Sequence, residues 1–211
     1  SDEDNLIEIN NFDWNNFIFC SKNPMFNIQN IFDDICKRLP DYKFEDLVCD
    51  AKSSNKYIIN VHWALYCENY LEGFHVPFVH KGLNDDIDYS RYDTEILDHG
   101  VLQISKDKSN KIYAHYYWIF PNLMLNFYDW GLSMNIISPL GSNKTKIEFF
   151  SFPKKGMTQP KDIPSGINIV EEEDQKIVKS VQKGIQSSNY KSGRYSIKHE
   201  KGVHYFHLLI S

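Results

Sequence analysis

No stretch of the sequence approaches the roughly 20 apolar residues that a membrane-spanning helix needs, and residues 1–10 are acidic where a secretory leader would be basic and then apolar. A soluble, cytoplasmic chain with no membrane partner is expected on both counts. Positive charge is scarce as well: 23 Lys and Arg against 28 Asp and Glu leave a formal net charge of -5. The clustered cations that release counterions from a phosphate backbone are therefore missing, which excludes nucleic acid as a partner. The four cysteines, Cys20, Cys36, Cys49 and Cys67, lie far apart, with no C-x-x-C, C-x-H or C-x-x-H pair. A local zinc ribbon or iron–sulfur loop is thereby ruled out, and the thiols are expected to be reduced and mostly buried. There is neither an internal repeat nor a low-complexity tract.

What the sequence does hold is aromatic side chains, 15% of its 211 residues, enough to build a stiff interior and to line a pocket. Residues 11–20 (NFDWNNFIFC) read as a strand and residues 28–39 as a short amphipathic helix closed by Pro40. After a β-branched run at residues 57–61, the segment from His62 to His80 contains no Lys or Arg, the mark of a buried helix. Strand-like runs then follow one another from Ile96 to Phe152: ILDHGVLQIS, KIYAHYYWIF, LMLNFYDW, LSMNIISPL and KTKIEFFSF. Their short polar separators favour antiparallel hairpins. A loop over residues 153–166 leads to a long helix, roughly Val170 to Ser187, and a tail containing GRYS and GVHYFHLLIS. The class is α+β, a sheet grasping a long helix.

The chemistry concentrates in residues 68–80, ENYLEGFHVPFVH. At about 100° per residue, Glu68, Glu72 and His75 share one stripe of a buried helix. Buried carboxylates need a cation, a proton or a dense hydrogen-bond network. His75 and His80 would stand about 140° apart on an unbroken helix, but Pro77 disturbs the turn before it and lets both imidazoles reach one point. Far along the chain, positions 170, 174, 177, 181 and 185 form a helical stripe of Val, Asp, Ile, Val and Ile. Asp174 thus sits in an apolar seam, whereas Glu171, Glu172 and Glu173 read as the water-facing acidic first turn favoured by the helix dipole. Two imidazoles and one carboxylate, with open positions opposite, suit a non-heme Fe(II) centre. His62, His99, His115 and His199 read as structural or surface residues, and His204 and His207 as members of a strand beneath the pocket.

The run WALYCENYLEGFHVPFVH resembles the iron-binding helix of the catalytic domain of Rieske-type ring-hydroxylating oxygenase alpha subunits. YYWIFPNLMLNFYDWGLSMNIISPLG resembles the core strands of that domain, and EEEDQKIVKSVQKGIQSSNY with GRYS and GVHYFH its closing helix and C-terminus. The resemblance implies a helix-grip, START/Bet v1-like fold with His75, His80 and Asp174 as ligands of mononuclear Fe(II). It implies that Glu72 links the iron to a Rieske cluster of a neighbouring subunit in a homotrimer, and that Asn69 stands beside the iron. Glu at position 72, where many aromatic-ring enzymes carry Asp, is similar to the branch acting on quaternary amines. His62 departs from the Asn usual before the helix's Trp.

No Rieske ligand loops occur in these residues, so the expected organisation is a junction over residues 1–50, left from a Rieske domain not present here, and an iron domain over residues 51–211. The expected activity is Fe(II)-dependent hydroxylation of an aromatic ring or a quaternary amine with O2. Electrons would pass from NAD(P)H through a reductase and a [2Fe–2S] cluster in a missing domain or partner. Tyr113, Tyr117, Trp118 and Trp130 are candidates to enclose an ammonium group or an aromatic ring. Two rivals share parts of this pattern. One is a metal-free START-like small-ligand binding module. The other is a zinc hydrolase, against which stands the absence of H-E-x-x-H.

Overall fold

The computed structural model describes residue 6, residues 8–160 and residues 167–211, so part of the loop expected at 153–166 lies outside the described residues. The chain divides into two compact units, Ser1–Asp46 and Leu47–Ser211.

In the first unit, β1 (Asn10–Trp14) pairs antiparallel with β2 (Phe17–Ser21), and α1 (Gln29–Arg38) follows. The single strand expected over residues 11–20 is therefore a hairpin. Asn15 turns it at a φ of 51°, a conformation that Asn tolerates better than most residues because its short side chain bonds locally. Phe32 of α1 meets Phe12, Trp14 and Phe19 at ring-centroid distances of 4.5–5.3 Å. This aromatic cluster is the unit's core.

The second unit is built on a seven-stranded antiparallel sheet. Its strands are β3 (Asn55–Ile59), β4 (Asp93–Leu97), β5 (Gly100–Lys106), β6 (Ile112–Ile119), β7 (Leu123–Tyr128), β8 (Gly131–Gly141) and β9 (Lys144–Pro153), in the order β3-β9-β8-β7-β6-β5-β4. The run ILDHGVLQIS is two strands rather than one, because His99 adopts a φ of 55° and reverses the chain. Cross-strand register aligns Gln103, Tyr116, Asn126 and Ser133 in one row across β5, β6, β7 and β8. Side chains alternate faces along a strand, so this row is a wall laid down by pairing alone.

Against the sheet lie α2 (Trp63–Tyr70), α5 (Ile167–Ile185) and α6 (Lys201–Ile210). Helix α2 contacts β8, α5 and α6, which is why Ala64, Leu65, Tyr66 and Cys67 are all buried and why its first half is apolar. The tail expected as a strand is the helix α6, with Val203 and Phe206 buried one turn apart and Phe206 edge-on to both Trp63 and Trp118. Gly202 permits this packing, since a Cβ there would lie 2.7 Å from the Leu71 carbonyl oxygen. The expected α+β helix-grip architecture is present. The expectation for the cysteines holds only for Cys67; Cys20, Cys36 and Cys49 are exposed. No described helix is long and apolar enough to cross a membrane.

Candidate metal centre

Helix α2 ends at Tyr70, where the Leu71 N–H donates to the carbonyls of Cys67 and Glu68. The chain then opens through Glu72, Gly73 and Phe74 before one turn of helix, α3 (Val76–Val79), and a short α4 (Lys81–Asp86). The stripe of Glu68, Glu72 and His75 expected on one continuous helix therefore does not exist. Pro77 starts α3 rather than breaking a helix, because its missing N–H costs nothing in a first turn. The opening falls at Gly73, where a Cβ would press within 2.8 Å of the Tyr92 ring. His75 and His80 flank α3, and its single turn points both rings to one place.

His75 Nε2 and His80 Nε2 lie 3.0 Å apart, and Asp174 Oδ1 lies 3.4 Å from the first and 3.1 Å from the second. These three are the one group of convergent His, Cys, Asp or Glu donors found among the described residues. Donors about 2.1 Å from a first-row metal and roughly a right angle apart are about 3.0 Å from each other, so the triangle fits a single ion capped on one face.

The outward nitrogens are held too. His75 Nδ1 bonds Glu72 Oε1 at 2.6 Å while the His75 N–H donates to Glu72 Oε2 at 3.0 Å; His80 Nδ1 bonds Glu173 Oε2 at 2.8 Å. Carboxylates on the far nitrogens fix ring orientation and present Nε2 as the donor. Asn69 Nδ2 donates to Asp174 Oδ1 at 2.7 Å.

Burial alone would lower the pKa of His75, but Asp174 and Glu72 outweigh it and hold the imidazole up at about 10. Burial would raise Asp174, yet the two imidazoles bring it down to about 2. The three donors thus hold a proton that a divalent cation would displace and a carboxylate charge that it would neutralise.

The helical seam differs from expectation by one residue in its second half. Val178 and Gln182 are buried, whereas Val181 is 43% exposed. The acidic first turn is corrected as well: Glu171 faces inward and accepts from the Tyr66 hydroxyl, and Glu173 reaches His80. Glu171 is open to detection from the sequence, since it precedes Asp174 by three residues and a helix places such pairs on one face. Glu173 carries no such signal.

Beside the donors lies a cavity of about 120 Å³, where a single water needs about 10–15 Å³ on the same measure. Tyr70, Tyr92, Tyr113, Tyr116, Tyr128 and Trp130 supply its aromatic walls. The Tyr70 hydroxyl donates to Asn126 Oδ1 at 2.6 Å, and Gln103 Nε2 donates to the Tyr70 carbonyl at 2.6 Å, which pins the wall to the helix end. Of the four aromatics expected to enclose a ligand, Tyr113 and Trp130 line the cavity. Tyr117 lies on the other face against Phe127, and Trp118 is in the core against Phe206.

Helix α6 carries another His–carboxylate pair: His207 Nε2 bonds Glu68 Oε1 at 2.8 Å, away from the donor cluster.

The family model for the catalytic domain of ring hydroxylating alpha subunits matches residues 94–210. A choline monooxygenase of Beta vulgaris is 34% identical over 167 residues, covering 72% of this chain and 37% of that protein. The carnitine monooxygenase oxygenase subunit of Escherichia coli (strain K12) is 25% identical, covering 100% of this chain and 63% of that protein. Among solved structures, a quaternary ammonium Rieske monooxygenase in complex with L-carnitine superposes with a TM-score of 0.74 at 18% identity, over 96% of this chain and 60% of the other. Naphthalene 1,2-dioxygenase with indole in its active site gives 0.65 at 12% identity, over 94% and 62%. The chain thus spans well under half the length of the choline monooxygenase.

Proposed function

The chain belongs to the family of ring hydroxylating alpha subunits, as a catalytic domain, and from that premise we propose that it is the oxygen-activating part of an iron-dependent oxygenase acting on a quaternary amine. The observation that carries this reading is the meeting of two imidazoles and one carboxylate at 3.0–3.4 Å beside an aromatic cavity. His75, His80 and Asp174 would hold mononuclear Fe(II), which when bound would supply the activation of dioxygen.

The protein's own part is orientation. Glu72 and Glu173 each fix one imidazole through Nδ1, and Asn69 holds Asp174 by its Oδ1, so the three donors keep their facing without a large rearrangement. Glu72, hydrogen-bonded to His75 on one side, would also be the residue linking the iron site to the [2Fe–2S] cluster that would supply its electrons. That cluster would belong to a Rieske domain elsewhere in the subunit or in a neighbouring subunit, with a reductase to supply it from NAD(P)H. Residues 1–50 are the junction with that domain, residues 51–211 the iron domain, and the full subunit a cytoplasmic homotrimer. The tyrosine-rich wall excludes bulk water from the reacting position and orients the substrate.

Metal analysis after anaerobic reconstitution with ferrous iron tests the reading. The parent chain is expected to hold near-stoichiometric iron, and Asp174→Ala less than about a tenth of it with its far-UV circular dichroism kept, because a lost ligand forfeits the chelate. Equal iron in the variant removes Asp174 from the ligand set. A parent that takes up no iron but binds small apolar molecules is a binding module instead.

A further inference from the structure

Three carboxylates line the cavity: Glu72, Glu171 and Asp174. Glu72 is engaged by His75, and Asp174 by His75, His80 and Asn69. Glu171 differs. It is held by the Tyr66 hydroxyl and the Asn135 side chain, both neutral groups, and none of the described lining residues is Lys or Arg. A carboxylate buried among neutral partners is costly to keep ionised unless a cation arrives. Burial pushes the Glu171 carboxyl well up, which is the cost of holding it among neutral partners. The same cavity is lined by Tyr66, Tyr70, Tyr113, Tyr116, Tyr128 and Trp130, with Tyr128 and Trp130 stacked at 5.4 Å and 13° between planes. Aromatic faces of this kind attract ammonium groups that cannot donate hydrogen bonds.

We propose that Glu171 is a specificity-determining residue: its carboxylate receives the positive charge of a quaternary ammonium group, so that the cavity favours a simple cation over a neutral isostere and over a zwitterion bearing its own acid group. A neutral isostere fills the same space and meets the same rings but leaves Glu171 without a counter-charge. A carboxylate on the ligand finds no Lys or Arg among the described lining residues and is repelled by the acids already there. The inference rests on the proposed function only in taking this cavity as the substrate site, and it is read without turnover.

Titration calorimetry on the whole chain decides it, with three probes: choline, its uncharged carbon isostere 3,3-dimethyl-1-butanol, and glycine betaine. The parent is expected to bind choline at least about tenfold more tightly than either of the others, the scale of one buried charge pairing. Glu171→Gln is expected to lose that preference while holding the isostere within about twofold of the parent, which also reports an intact cavity. Should Glu171→Gln fail to fold, Glu171→Asp keeps the charge on a shorter arm and is expected to keep the order of preference. Choline bound equally well by parent and Glu171→Gln overturns the assignment, as does a parent that prefers betaine or the isostere. A failure here leaves iron uptake by His75, His80 and Asp174 untouched, and a failure of iron uptake leaves choline binding untouched, so the metal-site reading and the charge-recognition reading fall separately.

Discussion

Glu68 and Glu72 are four residues apart, and each bonds a histidine at close range, His207 at 2.8 Å and His75 at 2.6 Å. On a continuous helix they would share a face, only about 40° apart. Helix α2 ends between them at Tyr70, and that single event separates their fates. Glu68 remains on the helix and ties α2 to α6 at a site where His207 is 39% exposed. Glu72 lies in the opened chain, and the imidazole it holds turns its other nitrogen toward His80 and Asp174. The same two residue types make a surface tie in one place and a donor-positioning device in the other. What differs is the backbone beneath them and the company at the far nitrogen.

The pH dependence of the metal-free protein should separate the two pairs most strongly. His75 is raised from 6.5 to about 10, so its contribution is complete below pH 6.5 and is lost as pH rises through 10. Asp174 is lowered from 3.8 to about 2, so its contribution is complete above pH 3.8 and is lost as pH falls through 2. These two groups alone would give a plateau between about pH 4 and 6.5 and a loss on the order of 4 kcal/mol by pH 10; Glu171, raised by burial, adds a loss of the same sign as pH rises above the usual carboxylate range. Glu68 shifts the opposite way to Asp174, being raised by burial despite the bond from His207, so acidification relieves it. Urea unfolding across pH 3–10 measures the profile. An alkaline limb of undiminished size in His75→Ala would show that His75 is not its source.

Glu173 sharpens the comparison inside the cluster, because it does for His80 what Glu72 does for His75. Glu173→Gln replaces the accepting carboxylate at Nδ1 with a weaker amide and should reduce ferrous-ion affinity by about 10–100-fold while the fold is retained. Competition with a chelator under anaerobic conditions reads the change. Affinity equal to the parent's would mean that α3 alone orients His80.

Much of this architecture is legible in the order of the residues. The absence of Lys and Arg from His62 to His80 implies a buried helix, and α2 is pinned among β8, α5 and α6. The polar spacers between residues 96 and 152 imply antiparallel pairing, and the inward setting of Asp174 follows from its apolar neighbours one turn away. The break at Leu71 is not legible, since periodicity describes a helix without saying where it stops, and the nearest signal, Gly73, owes its place to a contact with Tyr92 far along the chain. Glu173 escapes for a related reason: three consecutive acids match a solvated helix start, and while Glu171 shares the face of Asp174 by its spacing of three, only a tertiary partner, His80, distinguishes Glu173 from Glu172. The tail VHYFH supports both a two-residue and a helical period over so few positions, and the packing of Phe206 on Trp63 and Trp118 decides for the helix.

The smallest effect expected belongs to the other pair. Glu68→Ala removes the bond to His207 from a site where the two side chains are 28% and 39% exposed. An ion pair so open to water contributes about 0–1 kcal/mol, since solvent screens it and two long side chains must be ordered to make it. Thermal unfolding should therefore shift by no more than a few degrees. Iron content and choline binding should match the parent, because neither the donors nor the cavity lining includes residue 68. If Glu68→Ala lost iron instead, α2 and the turn carrying Glu72 would have to move as one rigid piece, and the separation made by the helix end at Tyr70 would be of shape only and not of energy.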